Sequence, residues 1–295
     1  MDIIDKLKLA FRNGNTLTRL IYINAGIYIL LQVLILMLRL FNLDAGNLIT
    51  YLALPSDVNA LLSHFWTLLT YMFLHERLFH ILFNMLALYW FGKLFLMYFT
   101  EKQMVSLYLI GGFAGALFYV VAYNVFPYFE PYVQLSLLMG ASASVIAMIV
   151  AVAVQSPNME LRMLFIGNIK LKYIALFTVL TSFFGITSNN AGGEIAHLGG
   201  AFAGYIFIVS LRQGKDITKW LNKLLDALYN LFKPRKLKVV SSKKRGRSTM
   251  SDAEFNMNKA RRMAEIDHIL DKIKTSGYES LSADEKKKLF EQGKK

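Results

Sequence analysis

The sequence contains, at residues 133–154, the stretch VQLSLLMGASASVIAMIVAVAV, which has no charged side chain. A helix needs about 20 apolar residues to cross the ~30 Å hydrocarbon core of a bilayer. This stretch has that length, and its glycine, alanine and serine residues are the types that let membrane helices pack closely. It therefore predicts a membrane-spanning helix that packs against other helices.

Similar apolar stretches recur along the first two-thirds of the chain. Together they predict six spans: Leu20–Leu38, Leu78–Phe99, Val105–Asn124, Val133–Val154, Tyr173–Thr187 and Ile195–Leu211. The 295 residues are 55% hydrophobic and 18% charged, and the mean hydropathy is +0.39. This composition excludes a water-soluble globular protein. The predicted fold is all-α, a polytopic six-helix membrane bundle with a short helical tail.

The positions of the basic residues predict the orientation of the spans. Nine of the eleven Lys and Arg residues before Arg212 fall in segments on one side of the predicted membrane domain. Because basic loops stay in the cytoplasm, both termini are expected there, which requires an even number of spans. Residues 212–295 hold 22 of the 33 Lys and Arg residues. A strongly basic segment beside a membrane domain is more simply explained by contact with anionic lipids than by binding of nucleic acid.

The chain divides into four predicted segments. Residues 1–19 form a cytoplasmic N-terminal segment, and residues 20–211 form the six-span domain. Residues 212–250 comprise an interfacial amphipathic helix, Asp216–Phe232, and a polybasic linker, Lys233–Arg247. Residues 251–295 are predicted to form a cytoplasmic helical hairpin, with a stop near Gly277 and a capping box of Ser282 and Glu285. The hairpin is expected to dock an unidentified partner or to regulate the membrane domain.

Polar residues inside membrane spans are costly and therefore indicate function. Counted from the cytoplasmic helix ends, at 1.5 Å per residue, Ser142, His197 and Asn84 lie at roughly 20, 22 and 24 Å. His80 lies one turn nearer the outside. A serine with a histidine base is a nucleophilic pair, and a nearby amide or second imidazole suits an oxyanion. Each of these residues alone also has a plain structural interpretation, and Ser144, on another face of its helix, is the internal example of a packing serine.

Small residues indicate how these helices could meet. Gly200 and Gly204 predict a close approach of the sixth span to the alanine stripe at Ala143, Ala147 and Ala151. That approach would bring His197 to Ser142. Glu194 lies three residues before His197, but at a helix start it is more simply a solvated charge, so the prediction is a dyad. The sequence has no cysteine, which excludes disulfides and thiolate chemistry.

These motifs resemble those of the rhomboid intramembrane serine proteases. Gly140-Ala141-Ser142 resembles their nucleophile motif, and Ala196-His197-Leu198-Gly199-Gly200 with Gly204 resembles their histidine motif. His75, His80 and Asn84 match the HxxxxHxxxN signature of the second span. The resemblance covers about Leu61–Leu211, in the family's order. The residues after it resemble, more weakly, an extension found on some bacterial rhomboids.

The resemblance implies a role for each residue. Ser142 would be the nucleophile and His197 the general base and acid. His80, Asn84 and the Ser142 backbone N–H would form the oxyanion hole, with Gly140 shaping the approach, and His75 would be structural. Gly200 and Gly204 would belong to the helix-packing motif. The resemblance implies no metal and no organic cofactor.

The sequence departs from the family pattern in three ways. Ala143 and Ser144 stand where many members have a second glycine. Ile146 replaces an aromatic residue that commonly packs on the histidine, and Thr67 replaces a frequent arginine after Trp66. These departures put the rate and the specificity in doubt. They leave the reaction class unchanged, because no reacting group is lost.

The resulting hypothesis is an endopeptidase of a bacterial cytoplasmic membrane that cleaves transmembrane protein substrates in or beside their helices by a Ser–His dyad. The alternative is a weak or inactive relative that binds membrane helices and controls their fate. A transporter is disfavoured, because no acidic residue lies at the predicted midplane and no repeat relates the two halves.

Overall fold

The computed structural model describes residues 3–44, 46–163, 167–232 and 252–292. The chain forms two compact units, residues 1–233 and residues 234–295. The predicted polybasic linker, Lys233–Arg247, lies outside the described residues.

The first unit is predominantly helical. Its helices are α1 (Ile3–Asn13), α2 (Thr16–Leu40), α3 (Gly46–Leu52), α4 (Val58–Ser63), α5 (Thr67–Thr70), α6 (Leu78–Tyr98), α7 (Glu101–Val125), α8 (Ser142–Gln155), α9 (Leu171–Phe184), α10 (Ala191–Arg212) and α11 (Lys219–Phe232). Two short antiparallel pairs join β1 (Leu54–Pro55) to β2 (Leu137–Leu138) and β3 (Glu160–Met163) to β4 (Gly167–Lys170). Single 3₁₀ turns follow α5 and α9, and a longer one, Pro127–Tyr132, follows α7.

Four of the described helices are long and apolar enough to cross a membrane, namely α2, α6, α7 and α10. Their bounds agree with four of the predicted spans to within a few residues. Apolar α8, and α9 with its 3₁₀ turn, are shorter, and they occupy the positions predicted for the fourth and fifth spans. The predicted start of the fourth span at Val133 is wrong, because the helix begins only at Ser142.

Contacts with the first loop explain why the fourth helix starts late. Leu137 and Leu138 pair with Pro55 and Leu54, and the N–H of Gly140 donates to the carbonyl of Tyr71 at 2.9 Å. Gly140 has a φ of +130°, which no right-handed helix contains. The apolar residues before Ser142 therefore fasten the loop to the bundle instead of extending the helix.

The α8 helix forms the centre of the first unit. All its residues from Ala143 to Ala153 are buried, and α6, α7, α9 and α10 pack around it. A Cβ atom placed on Gly200 would lie 2.1 Å from the carbonyl oxygen of Ala143, and one on Gly204 would lie 2.2 Å from that of Ala147. The predicted close approach of the sixth span, α10, to the alanine stripe of α8 is thus confirmed, because the two backbones lie directly against each other.

Polar contacts hold α2 and α11 to α7. In α2, the buried Asn24 contacts the hydroxyl of Tyr108 at 3.3 Å. In α11, Asp226 pairs with Lys102 at 2.7 Å. The predicted amphipathic helix is confirmed at Lys219–Phe232, with Leu221 buried against the bundle while three apolar side chains of the helix stay exposed, Trp220, Leu224 and Leu228.

The second unit is a helical hairpin. Helix α12 (Asp252–Ser276) ends before Gly277, whose φ is +77°, and α13 (Ala283–Gln292) follows. The N–H of Ser282 donates to Glu285 Oε2 at 2.7 Å, and the N–H of Glu285 donates to Ser282 Oγ at 3.3 Å. The predicted capping box and helix stop are both confirmed.

Candidate active site

A serine and a histidine meet where α8 and α10 pack together. Ser142 is the first residue of α8, and its Oγ lies 2.8 Å from Nε2 of His197 in α10. This is hydrogen-bonding distance between a nucleophile and a base. The contact follows from the packing of Gly200 on Ala143, since no larger side chain would let the two backbones approach so closely.

The other ring nitrogen of His197 also has partners. Its Nδ1 lies 3.2 Å from Oε2 of Glu194 and 3.1 Å from Oγ of Ser182 in α9. The interpretation of Glu194 as a solvated charge is therefore wrong. Glu194 lies in the first turn of α10, and the i, i+3 spacing places its side chain beside His197. Ser182 had no signal in the sequence.

The start of α8 offers backbone donors beside the serine. The first N–H groups of a helix have no partner inside the helix and carry the positive end of its dipole. Within the described part of the chain, no side chain caps this helix start. The N–H of Ser142 is one of these donors, so the helix start suits a negatively charged oxygen.

Gly140 and His80 border the same space. A Cβ atom on Gly140 would lie 2.9 Å from Nε2 of His80 and 3.8 Å from Oγ of Ser142. The imidazole of His80 thus packs directly over the glycine, on the approach to the serine. Any larger residue at position 140 would displace the ring.

Asn84 and His75 lie next to His80 but make different contacts. Asn84 is buried, and its Nδ2 donates to the carbonyl of His80 one turn earlier, at 3.0 Å, which leaves its second N–H for another acceptor. The His75 ring stands edge-on to that of His80, with centroids 5.1 Å apart. Burial, and then the nearby His80, lower the pKa of His75 to about 4, so it is neutral at pH 7.

Ser144 behaves differently from Ser142. It is 1% exposed, and its hydroxyl has no hydrogen-bond partner among the described residues. Its Cα faces Gly111 of α7, where a Cβ atom would come within 3.3 Å. Ser144 therefore packs against α7, away from His197.

The residues at the three departures from the family pattern make contacts of their own. The methyl of Ala143 packs against Gly115 of α7 and its backbone against Gly200, so the neighbouring helices supply the missing space. Ile146 is buried, and among the described residues His197 is held on its Nδ1 edge by polar contacts and by no aromatic ring. Thr67 donates to the carbonyl of His64 at 2.6 Å, and Trp66 donates to that of Tyr51 at 2.9 Å, so both residues hold parts of the first loop to each other.

No cluster of His, Asp and Glu suited to a metal ion occurs among the described residues.

Comparisons with known proteins match two parts of the chain to protein families. The Rhomboid domain family matches residues 62–214, and a family of unknown function, DUF6576, matches residues 250–295. RHOMBOID-like protein 12, mitochondrial, of Arabidopsis thaliana is 28% identical over 158 residues, which is 50% of this chain and 47% of that protein. The chain thus spans about half the length of this curated relative.

The match to the Rhomboid domain covers just over half of the chain and includes α5 to α10. The chain belongs to the rhomboid family. With its membrane-length helices, it is an integral membrane protein.

Proposed function

We propose that this protein is an intramembrane serine endopeptidase that hydrolyses peptide bonds in or next to the transmembrane helices of other membrane proteins. The observation that carries the proposal is the 2.8 Å contact between Ser142 Oγ and His197 Nε2. It is reinforced by the uncapped start of α8 at the same serine. Together these features supply a nucleophile, a base and donors for an oxyanion.

In the proposed reaction, Ser142 Oγ attacks the carbonyl carbon of the substrate, and its proton passes to His197 Nε2. The oxyanion is stabilised by the Ser142 N–H, with His80 and Asn84 as further donors. When the intermediate collapses, the C–N bond breaks and His197 gives the proton to the departing amine. A water molecule then attacks the acyl-enzyme, His197 takes its proton, and the return of that proton to Ser142 releases the acid.

The proposal includes six spans with both termini in the cytoplasm of a bacterial cell. The shorter α8 and α9 would complete the four membrane-length helices, and the exposed apolar side chains of α11 would lie in the cytoplasmic lipid interface. The partners would be transmembrane substrates and membrane lipids, with no nucleic acid. The hairpin that matches the family of unknown function would act on the cytoplasmic side.

A fluorescent fluorophosphonate tests for an activated serine in the purified full-length protein. We expect it to label the wild type and the Ser144→Ala variant, but neither Ser142→Ala nor His197→Ala. Ser144→Ala is the matched control, because this buried serine has no partner at His197. Labelling of Ser142→Ala would show that another nucleophile reacts.

Absence of labelling in folded wild type, under conditions that label an active relative, would contradict the proposal. The helix-binding alternative would then explain the fold better, and a shift in the melting temperature on adding membrane-helix peptides would support it.

A further inference from the structure

Both ring nitrogens of His197 are engaged, and this fixes the position of its proton. A carboxylate can only accept a hydrogen bond. With Glu194 Oε2 at 3.2 Å, the proton of a neutral imidazole therefore lies on Nδ1. Nε2 then presents its lone pair to the hydroxyl of Ser142 at 2.8 Å. This is the tautomer that a general base needs.

The carboxylate is held in place by its surroundings. Its second oxygen, Oε1, lies 3.4 Å from Nδ2 of Asn190. A Cβ atom on Gly185 would come within 2.8 Å of Glu194 Cγ, so the turn after α9 leaves room for this side chain. The Glu194 side chain is 22% exposed, whereas the acids of the surface pairs at Glu76 and Asp226 are 59% and 53% exposed.

A simpler explanation is that Glu194 only stabilises the start of α10, because acidic residues are favourable in the first turn of a helix. That role requires neither contact with Nδ1 nor the support of Ser182, which is itself 2% exposed and lies 3.1 Å from the same nitrogen. The two explanations differ in what removal of the carboxylate does to the reactivity of Ser142.

We propose that Glu194 is a positioning residue that, with Ser182, orients His197 and completes a Ser142–His197–Glu194 triad. This inference rests on the proposed function. Glu194 and Ser182 would supply the support for the imidazole that the family pattern assigns to an aromatic residue at the position of Ile146. Neither residue touches the substrate, and both act through the imidazole.

The reaction with a fluorophosphonate provides the test without a known substrate. Ser142 Oγ forms a bond to phosphorus, the P–F bond breaks, the Oγ proton passes to His197 Nε2, and fluoride leaves. The concentration dependence of labelling separates the maximal rate constant, kinact, from the half-saturating concentration, KI. A positioning residue affects kinact, because the probe does not contact it.

We expect Glu194→Gln to lower kinact about 10- to 100-fold with KI unchanged, which is the fold-change that corresponds to loss of one hydrogen bond to a charged group. Ser182→Ala is expected to lower kinact about threefold, since one of two contacts on Nδ1 remains. Glu130→Gln, at an exposed acid in the 3₁₀ turn after α7, is the matched control and keeps the wild-type kinact. For Glu194→Ala, added acetate should restore part of the rate, and chloride at the same concentration should not.

Each result decides between the explanations. Wild-type kinact in Glu194→Gln would overturn the triad and leave Glu194 as a first-turn acid, while the proposed function would stand. A loss of labelling that parallels a lower melting temperature and resists acetate would also overturn it. If the wild type itself fails to label, both the proposed function and the triad are overturned.

Discussion

At the scale of single residues, the candidate site depends on the absence of a side chain at Gly140. Gly140 has a φ of +130°, its N–H is fixed by Tyr71, and the His80 ring packs over its Cα. A side chain here would meet both an unfavourable backbone conformation and the imidazole. Two separate constraints thus converge on the residue that precedes Ser142 by two positions.

Gly140→Ala is expected to reduce fluorophosphonate labelling at least ~10-fold, because about 1–3 kcal/mol of backbone strain adds to the displacement of His80. The labelling rate and the melting temperature are the measurements. Gly214→Ala is the control, since Gly214 also has a positive φ, +76°, but open space around its Cα. Equal labelling by the two variants would show that the contact with His80 is unimportant.

The sequence predicts one common level for Ser142 and His197, and their 2.8 Å contact agrees with this, but a common height cannot show that the two side chains face each other. The small residues show which faces of α8 and α10 meet, because Gly200 can approach Ala143 only along one face of α10. The sequence analysis predicts a solvated Glu194, because a charge at a helix start usually has access to water, and this prediction is wrong. Its i, i+3 spacing from His197 was the available signal. The contact of Ser182 depends on how α9 packs, which no local pattern encodes.

At the scale of elements, the site depends on three helices whose backbones lie nearly in contact. Gly115 of α7 accommodates the methyl of Ala143, and Gly200 and Gly204 of α10 accommodate the α8 backbone. Lipid gives apolar helices no hydrophobic reason to associate, so such close packing provides the stability. A methyl group added at this interface would push α10, and with it His197, away from α8.

Gly200→Ala is expected to destabilise the membrane domain by about 1–3 kcal/mol through overpacking. Gly26→Ala in α2, where nothing lies within 4 Å of the new methyl, should stabilise it by up to about 1 kcal/mol through helix propensity. Unfolding titrations with SDS in mixed micelles would measure both. Equal stabilities for the two variants would contradict the close contact between α8 and α10.

The hairpin element is expected to respond to pH through Glu285. Hydrogen bonds from Ser282 and contact with Lys272 lower the pKa of Glu285 from 4.5 to about 2. Because the pKa is lower in the folded state, the stabilisation is complete above pH 4.5 and is lost as the pH falls toward 2. Amide hydrogen exchange of residues 283–292, corrected for intrinsic rates, should therefore accelerate over this range.

In Glu285→Gln, the corrected exchange should be fast already at pH 6 and change little on acidification. Glu279→Gln is the control, because the Glu279 side chain is 94% exposed in its pair with Lys286. A wild-type hairpin whose corrected exchange does not change between pH 6 and pH 2 would contradict this role of the capping box.

Hydropathy located the elements well and one boundary poorly. The fourth apolar stretch was predicted as one helix from Val133, yet only the part from Ser142 is helical. An apolar segment satisfies a hydropathy window whether it is helical or extended. The deciding partners, Leu54, Pro55 and Tyr71, lie more than 60 residues away in the chain and could not be inferred from local pattern.

At the scale of the whole molecule, the proposed arrangement has six spans and both termini on one side. Because the sequence contains no cysteine, single cysteines can report the location of each segment. Their reaction with a membrane-impermeant maleimide in intact cells gives the orientation directly. This experiment tests the positive-inside prediction independently of any enzymatic activity.

We expect Glu130→Cys and Asn189→Cys to react in intact cells, and Asn13→Cys and Thr275→Cys to react only after detergent is added. All four positions are exposed in the structure, so accessibility within the protein is matched. Reaction of Thr275→Cys from outside, with Asn13→Cys protected, would mean an odd number of spans and would contradict the six-helix arrangement.

The late start of α8 has a consequence for where a substrate would be cut. Fourteen residues of helix extend about 21 Å, so in the proposed arrangement, with α8 ending at the cytoplasmic surface, a nucleophile at its first residue would stand roughly two-thirds of the way across a ~30 Å core. The length of α8 would then set the position of the scissile bond, because a peptide bond could react only at that distance from the membrane surface, whatever its side chains. Moving a cleavable sequence along a substrate helix should abolish its cleavage, although no residue of the sequence has changed.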